Sequence, residues 1–338
     1  MPLSPASQIV ERQIDYFTDQ DVLIAGEFLD DIPPKLVENA RSVQLYTTNY
    51  KQYLAYKDNS SIKAYFCAQL PKDISASLLL LYWPKAKEEV TYLLHMLLNQ
   101  LGIKTEVCVV GENRSGIKSA QKLFAPYGTL IKFDSARRCG FYYGVCDQIP
   151  TAFNIEDWYK SYPVTIQDKN LTIYSLPGVF SHGELDNGTS LLLENLPRLK
   201  GKVMDFGCGA GIIGSFMKLC YPDIRLEMTD ISALAIASSQ KTLQENGLEG
   251  QVYPSDIYSD FGNNYKFIIS NPPFHAGKNT SYVAAETLIS QAPRFLGRSG
   301  KLVIVANQFL AYPPLFEETF KQCIQVASTT KFKVLASS

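Results

Sequence analysis

The stretch "VMDFGCGAGIIG", residues 203–214, decides the fold. Val203–Phe206 reads as a buried strand, and Gly207, Gly209, Gly211 and Gly214 then lead into an apolar run with helical spacing. A glycine-rich strand-to-helix turn is where a doubly wound α/β sheet receives a ligand, because a Cβ there would block close approach. Further strands are predicted at Leu226–Thr229, Phe267–Ile269 and Lys301–Ala306. A helix is predicted over Ser232–Asn246, opening at a serine suited to N-capping and closing before Gly247. Short apolar runs alternating with amphipathic stretches predict α/β architecture with largely parallel sheets.

The N-terminal half repeats this pattern. "VLIAG" at 22–26 corresponds to "VMDFG" at 203–207, "LLLLYWPK" at 78–85 to "FIISNPPF" at 267–274, and "TEVCVVGEN" at 105–113 to "GKLVIVANQ" at 300–308. The copies differ where a ligand would sit. After its first strand the N-terminal copy has "AGEFLDDIPP", with one glycine, so a cofactor site is not expected there. Two tandem Rossmann-like domains are predicted: residues 1–160, degenerate and serving as scaffold or recognition module, and residues 161–338, binding the cofactor. The boundary is expected within Pro150–Asp168, around "YPVTIQDKN".

A length of 338 residues suits two domains, and 46% hydrophobic residues suffice for full cores. The longest apolar stretches are too short to span a bilayer, and the N-terminus lacks a secretory pattern. Seven cysteines without a CxxC pair argue against a disulfide framework or zinc ribbon, so a cytoplasmic protein without a metal site is expected. Net charge is −1, yet Arg114, Lys118, Lys122, Lys132, Arg137 and Arg138 face a single nearby acid, Asp134. Such a cluster suits phosphate neutralisation, and equally a solvated helix face with a basic turn.

The glycine stretch fits two patterns. Gly209-Ala-Gly211-Ile-Ile-Gly214 satisfies the dinucleotide fingerprint, with Asp230 ending the next strand. Asp205 followed by Gly207, Gly209 and Gly211 satisfies the loop that binds S-adenosylmethionine (SAM). A pyrophosphate needs the positive end of a helix, whereas SAM carries a sulfonium and an amino-acid end. An acid at Asp205 suits the cation and repels the pyrophosphate. Asp230 accepts ribose hydroxyls in either case, and Asp256 follows the next strand as a partner for the adenine amino group.

"SNPPFHAG", residues 270–277, separates the readings further. Two prolines end the strand abruptly. The exocyclic amino nitrogen of a planar ring is a poor nucleophile, and two acceptors aimed at its N–H bonds would hold its lone pair toward an incoming methyl. The Asn271 side-chain carbonyl and the Pro272 peptide carbonyl supply that pair, with Pro272 and Pro273 fixing its direction. Phe274 offers a stacking face. Positioning is then the main catalytic effect, with no strong general base. His275 is read as a hydrogen-bonding neighbour, and His95 and His182 as structural.

"DFGCGAG", "SNPPFH", "GVFS…LDNGTSLLLE" (178–194), "VGENRSGIKSA" (110–120) and "DSARRCG" (134–140) together resemble the bacterial ribosomal RNA small subunit methyltransferase C family, over nearly the whole chain. The resemblance implies two methyltransferase-like domains, the first without cofactor. It also implies methyl transfer to guanine N2 at position 1207 of 16S rRNA in the 30S subunit. It assigns Asp205, Gly207, Cys208, Gly209, Gly211, Asp230, Ile231 and Asp256 to SAM, with Phe180, Asp186 and Gly188 over the methionine end. Cys208 is a packing residue there, and Asp186 reads equally as a turn residue. Asn271, Pro272, Pro273 and Phe274 become the catalytic motif, and Arg114, Lys118, Lys122, Arg137 and Arg138 the RNA contacts. A monomer with no membrane partner is expected. The rivals are adenine-N6 or glutamine-amide methylation, a nicotinamide oxidoreductase, and a non-catalytic assembly factor.

Overall fold

The computed structural model describes residues 2–28, 30–272 and 279–338, excepting the side chains of 279–282. The chain divides into two compact units, Met1–Trp158 and Tyr159–Ser338.

The first unit holds strands β1 (Asp21–Ala25), β2 (Ser42–Thr47), β3 (Ile62–Phe66), β4 (Leu78–Tyr82), β5 (Glu106–Glu112), β6 (Leu130–Ala136) and β7 (Cys139–Val145). Its helices are α1 (Pro5–Arg12), α2 (Ile32–Val37), α3 (Tyr50–Tyr56), α4 (Lys87–Leu101) and α5 (Ala120–Phe124). The second unit opens with a hairpin, β8 (Lys160–Ile166) and β9 (Lys169–Ser175), then α6 (Asn187–Glu194). Its main sheet comprises β10 (Lys202–Phe206), β11 (Arg225–Asp230), β12 (Gln251–Pro254), β13 (Tyr265–Ser270), β14 (Leu296–Asn307), β15 (Cys323–Ser328) and β16 (Phe332–Ser337). Helices α7 (Ile212–Cys220), α8 (Ala233–Glu245), α9 (Asn279–Gln291) and α10 (Tyr312–Phe320) complete it.

The two seven-stranded sheets have one topology, β3-β2-β1-β4-β5-β7-β6 and β12-β11-β10-β13-β14-β16-β15. Their registers also correspond. Val22 pairs with Leu78 and Leu78 with Glu106, as Val203 pairs with Phe267 and Phe267 with Lys301. This is the alignment read from the sequence, and it sets Ile24 where Asp205 stands and Tyr82 where Asn271 stands. In each copy five strands pair in parallel, and the last two are joined by antiparallel pairings, so that β7 and β16 run against the rest.

The predicted strands and helix of the second unit are all present, Ala233–Glu245 being capped by the Ser232 side chain as expected. The stretch "YPVTIQDKN" is itself structured. It is a β-hairpin, turning at Gln167 and Asp168, both with positive φ (47° and 61°). Alternate residues Tyr162, Val164 and Ile166 are buried, so period-2 amphipathicity was present but masked by Pro163 and polar neighbours.

The cores are apolar faces of these sheets, and Glu227 is one of the charged residues buried beside them. Glu227 of β11 accepts hydrogen bonds from Tyr265 (2.5 Å) and Tyr253 (2.9 Å) and pairs with Lys202 at 2.9 Å. Burial raises its pKa, but the two phenols and the ammonium more than offset that, so the net shift is downward. Among the described residues, no helix is long and apolar enough to cross a membrane.

Candidate active site

The carboxyl ends of β10 and β13 are neighbours, with Phe206 paired to Ser270. The Ser270 hydroxyl donates to the Phe206 carbonyl at 2.7 Å, tying the strand ends together just before Gly207 and Asn271. The loop glycines divide their work. Gly207 (φ +70°) would point a Cβ into open space, and Gly209 (φ +54°) would meet only Phe180, at 3.9 Å. Gly211 (φ +81°) lies against Ser239 at 3.0 Å and Gly214 against Met228 at 2.7 Å, so these two allow the loop and α7 to pack. The first two leave the surface free for a ligand, and the last two serve close packing.

Asp205 is fully buried in β10. Its Oδ2 accepts the Gly214 amide at 2.8 Å, and its Oδ1 has no hydrogen-bond partner among the described residues. Burial pushes its pKa up to about 7; the Gly214 amide opposes the rise and Asp230 adds to it. Asp230, at the end of β11, accepts from Gly209 N–H and Ser232 N–H, both at 2.9 Å. Burial raises its pKa against those donors. Ile231 follows it, half-buried. Cys208 is buried, its thiol receiving the Ser239 hydroxyl at 3.2 Å; burial raises its pKa, which suits packing and not nucleophilic attack. Asp256 follows β12 and is half-buried, its amide donating to Ser259 at 2.9 Å. Phe180 is 53% exposed beside Gly209.

Asn271 directly follows β13, half-buried, and Pro272 is buried. The Asn271 Nδ2 group donates to Asp186 Oδ2 at 3.2 Å and to Thr189 Oγ1 at 2.9 Å. Asp186 is the N-cap of α6, accepting from Thr189 N–H at 2.9 Å. It is a capping residue that also reaches Asn271, more than the simple turn residue considered from sequence. Gly188 allows this approach, because a Cβ would stand 3.0 Å from Asp186 Oδ2 and 3.1 Å from Phe332. Pro273, Phe274 and His275 lie outside the described residues. Thr189 and Ser239 escaped the sequence reading; the capping spacing Asp186–Thr189 was the available signal for the first. His182 bonds Ser175 at 2.7 Å and His95 bonds Tyr127 at 3.1 Å, in structural roles.

The first unit has closed the equivalent site. A Cβ on Gly26 would meet the Tyr82 carbonyl at 2.1 Å, where Gly207 faces open space. Phe28 packs on Tyr82 at 4.8 Å, and the Tyr82 hydroxyl meets Ser7 of α1 at 2.7 Å. Helix α1 and apolar side chains thus fill the strand ends, and Ile24 replaces the acid. The five basic residues read as RNA contacts are all exposed in this unit. Arg137 and Arg138 form the β6–β7 turn, and the Asn113 amide donates to the Arg138 carbonyl at 2.7 Å, bringing Arg114 alongside. Lys118 and Lys122 follow on the next helical turns.

The second unit fits SAM. An orphaned buried carboxylate oxygen, an open Gly207 face and a strand-end acid suit a cationic nucleoside ligand, and in the first turn of α7 the Gly214 amide is already taken by Asp205. Family models agree: "Methyltransferase small domain" matches residues 170–336 and "Methyltransferase small domain N-terminal" residues 7–162. Fold and site define a SAM-dependent methyltransferase made of two tandem copies, the first degenerate. The ribosomal RNA small subunit methyltransferase C of Vibrio vulnificus is 55% identical, with 98% of each chain covered. That of Aliivibrio fischeri (strain MJ11) is 52% identical, covering 100% of this chain and 99% of its own. The chain belongs to the ribosomal RNA small subunit methyltransferase C family. A T. thermophilus 16S rRNA N2 methyltransferase for guanine 1207, solved with AdoMet and guanosine, has the same fold: TM-score 0.82, 21% identity, 99% of this chain and 92% of that chain covered.

Proposed function

We infer that this protein transfers the SAM methyl group to the exocyclic N2 of guanine 1207 of 16S rRNA, within the 30S subunit. Family membership over the full length supports the substrate. The observation that carries the chemistry is the pairing of Phe206 with Ser270, which sets Asn271 beside the glycine loop. SAM supplies an electrophilic methyl on its sulfonium. Asn271 Oδ1 and the Pro272 carbonyl accept the two N–H bonds of the guanine amino group, and Phe274 stacks on the base. This orientation aims the nitrogen lone pair along the breaking S–CH3 bond. The new N–C bond leaves S-adenosylhomocysteine, and the cationic nitrogen then loses a proton to water. Asp205, Asp230, Asp256 and the glycine face hold the cofactor.

The first unit acts as scaffold and RNA-recognition module, its exposed arginines and lysines meeting rRNA phosphates. On this reading the protein is a monomer acting in the cytoplasm, where 30S subunits assemble. The test is incubation with undermethylated 30S subunits, free 16S rRNA and labelled SAM, followed by nucleoside mapping. N2-methylguanosine at 1207 is expected; label in N6-methyladenosine or in protein sinks this reading.

A further inference from the structure

We propose that Asp186 and Thr189 are positioning residues that set the orientation of the Asn271 carboxamide, an inference that rests on Asn271 acting in methyl transfer. An asparagine side chain has two nearly isosteric ends, and only its carbonyl end accepts the N–H of an amino substrate. Here the choice between ends is made by chemistry. Asp186 ionised has acceptors only, and its Oδ2 stands 3.2 Å from Asn271 Nδ2. Thr189 Oγ1 receives the second Nδ2 hydrogen at 2.9 Å, its own hydroxyl being directed back to Asp186 Oδ2 at 3.4 Å. The three side chains close a ring in which each donor has an acceptor. Turning the amide over would place its carbonyl against the Asp186 carboxylate and lose that bond, and Thr189 could then serve Oδ1 only by turning its hydroxyl away from Asp186.

The ring is itself anchored. Asp186 caps α6 through the Thr189 amide at 2.9 Å, so the helix start fixes both acceptors together. With both Nδ2 hydrogens committed, Oδ1 is the end of Asn271 left to a substrate. Asp186 thus acts on the Asn271 amide.

Thr189→Val removes the hydroxyl while keeping the side chain's shape. Turnover on 30S subunits should fall between about ten- and a hundred-fold, the range set by a misplaced reacting group. Affinity for SAM by calorimetry should stay unchanged, and Thr189→Ser should restore turnover. In an Asn271→Ala background, Thr189→Val should add no further loss, because the two act as one unit. Asp186→Asn, which keeps an acceptor at the helix start but adds a competing NH2 group, is the second variant and should also lose turnover with SAM affinity kept. Wild-type turnover in both variants, with Asn271→Ala inactive, overturns the positioning role alone. Weakened SAM binding in both assigns the pair to the cofactor and overturns it equally. Full turnover in Asn271→Ala instead removes the catalytic reading on which the inference rests.

Discussion

Asp205 accepts the amide hydrogen of Gly214 with one carboxylate oxygen, at 2.8 Å, and keeps the other buried without a hydrogen-bond partner among the described residues. A carboxylate in that state is half-stabilised, and burial accordingly raises its pKa to about 7. The folded pKa lies above the unfolded value of about 3.9, so folding favours the protonated form. Its contribution to stability is therefore present at low pH and is lost as pH rises toward 7. A cation bound nearby reverses the preference, favouring the carboxylate. SAM affinity should tighten between roughly pH 6 and pH 8, with proton release seen in calorimetry across buffers of different ionisation enthalpy. Asp205→Asn should bind more weakly and lose the pH dependence. An affinity that stays flat with pH in the wild type contradicts a cationic partner for Asp205.

The two copies of the fold offer a matched pair of glycine substitutions. Gly26 and Gly207 occupy equivalent strand ends with φ +90° and +70°. An alanine at either costs ~1–2 kcal/mol from its left-handed backbone. At Gly207 the methyl enters open space above the strand, so Gly207→Ala should lose SAM affinity with only a small fall in Tm. At Gly26 the methyl would meet the Tyr82 carbonyl at 2.1 Å, a backbone atom that cannot step aside. Gly26→Ala should destabilise the first unit strongly. Calorimetry and thermal denaturation on both variants check this; the opposite ranking would show that the open face is not the ligand face.

These glycines also indicate what a sequence can and cannot convey. Gly207, Asp205 and the strand end at Asn271-Pro272 were legible because residue type alone carries their effect: no Cβ, a charge, a missing donor. The repeat was legible because apolar runs of matching spacing form the same parallel ladder, down to Val22–Leu78 and Val203–Phe267. The Asp186–Thr189–Asn271 ring was not, since its members lie 82 and 85 positions apart and meet only through the packed sheet. The hairpin of 160–175 was missed for a different reason: Pro163 reads as a strand breaker, yet it stands opposite Thr172, whose amide and carbonyl bond the Asn246 side chain and not the facing strand, so no ladder donor is lost.

Glu227 tests the energetics of the core independently of catalysis. Its folded pKa is depressed despite burial, because Tyr265, Lys202 and Tyr253 together favour the carboxylate. That stability is present above the unfolded carboxylate pKa and is lost as pH falls through the folded value. Glu227→Gln keeps the shape but weakens charge-assisted bonds and leaves Lys202 without its partner. It should cost ~1–3 kcal/mol at neutral pH, a fall of ~2–12 °C in Tm, and flatten the acid limb of the stability profile. A variant as stable as wild type would mean that desolvation already cancels the whole network.

The backbone of the β6–β7 turn offers a test of the proposed RNA contact. A two-residue hairpin turn with both φ positive is best served by Asn-Gly, yet Arg137 (47°) and Arg138 (64°) occupy it. Each arginine pays ~1 kcal/mol or more for the left-handed backbone, a strain of the kind found at functional surfaces. Their exposure, and the nearness of Arg114 through the Asn113–Arg138 bond, give the strain a reason if the turn meets phosphate. Replacing Arg137-Arg138 by Asn-Gly should raise Tm while weakening 30S binding. It should also lower the slope of log affinity against log salt by roughly one to two units. Binding of SAM should not change. If the exchanged turn stabilises the protein and 30S affinity and salt slope stay as they were, these arginines make no RNA contact, and recognition belongs elsewhere on the unit.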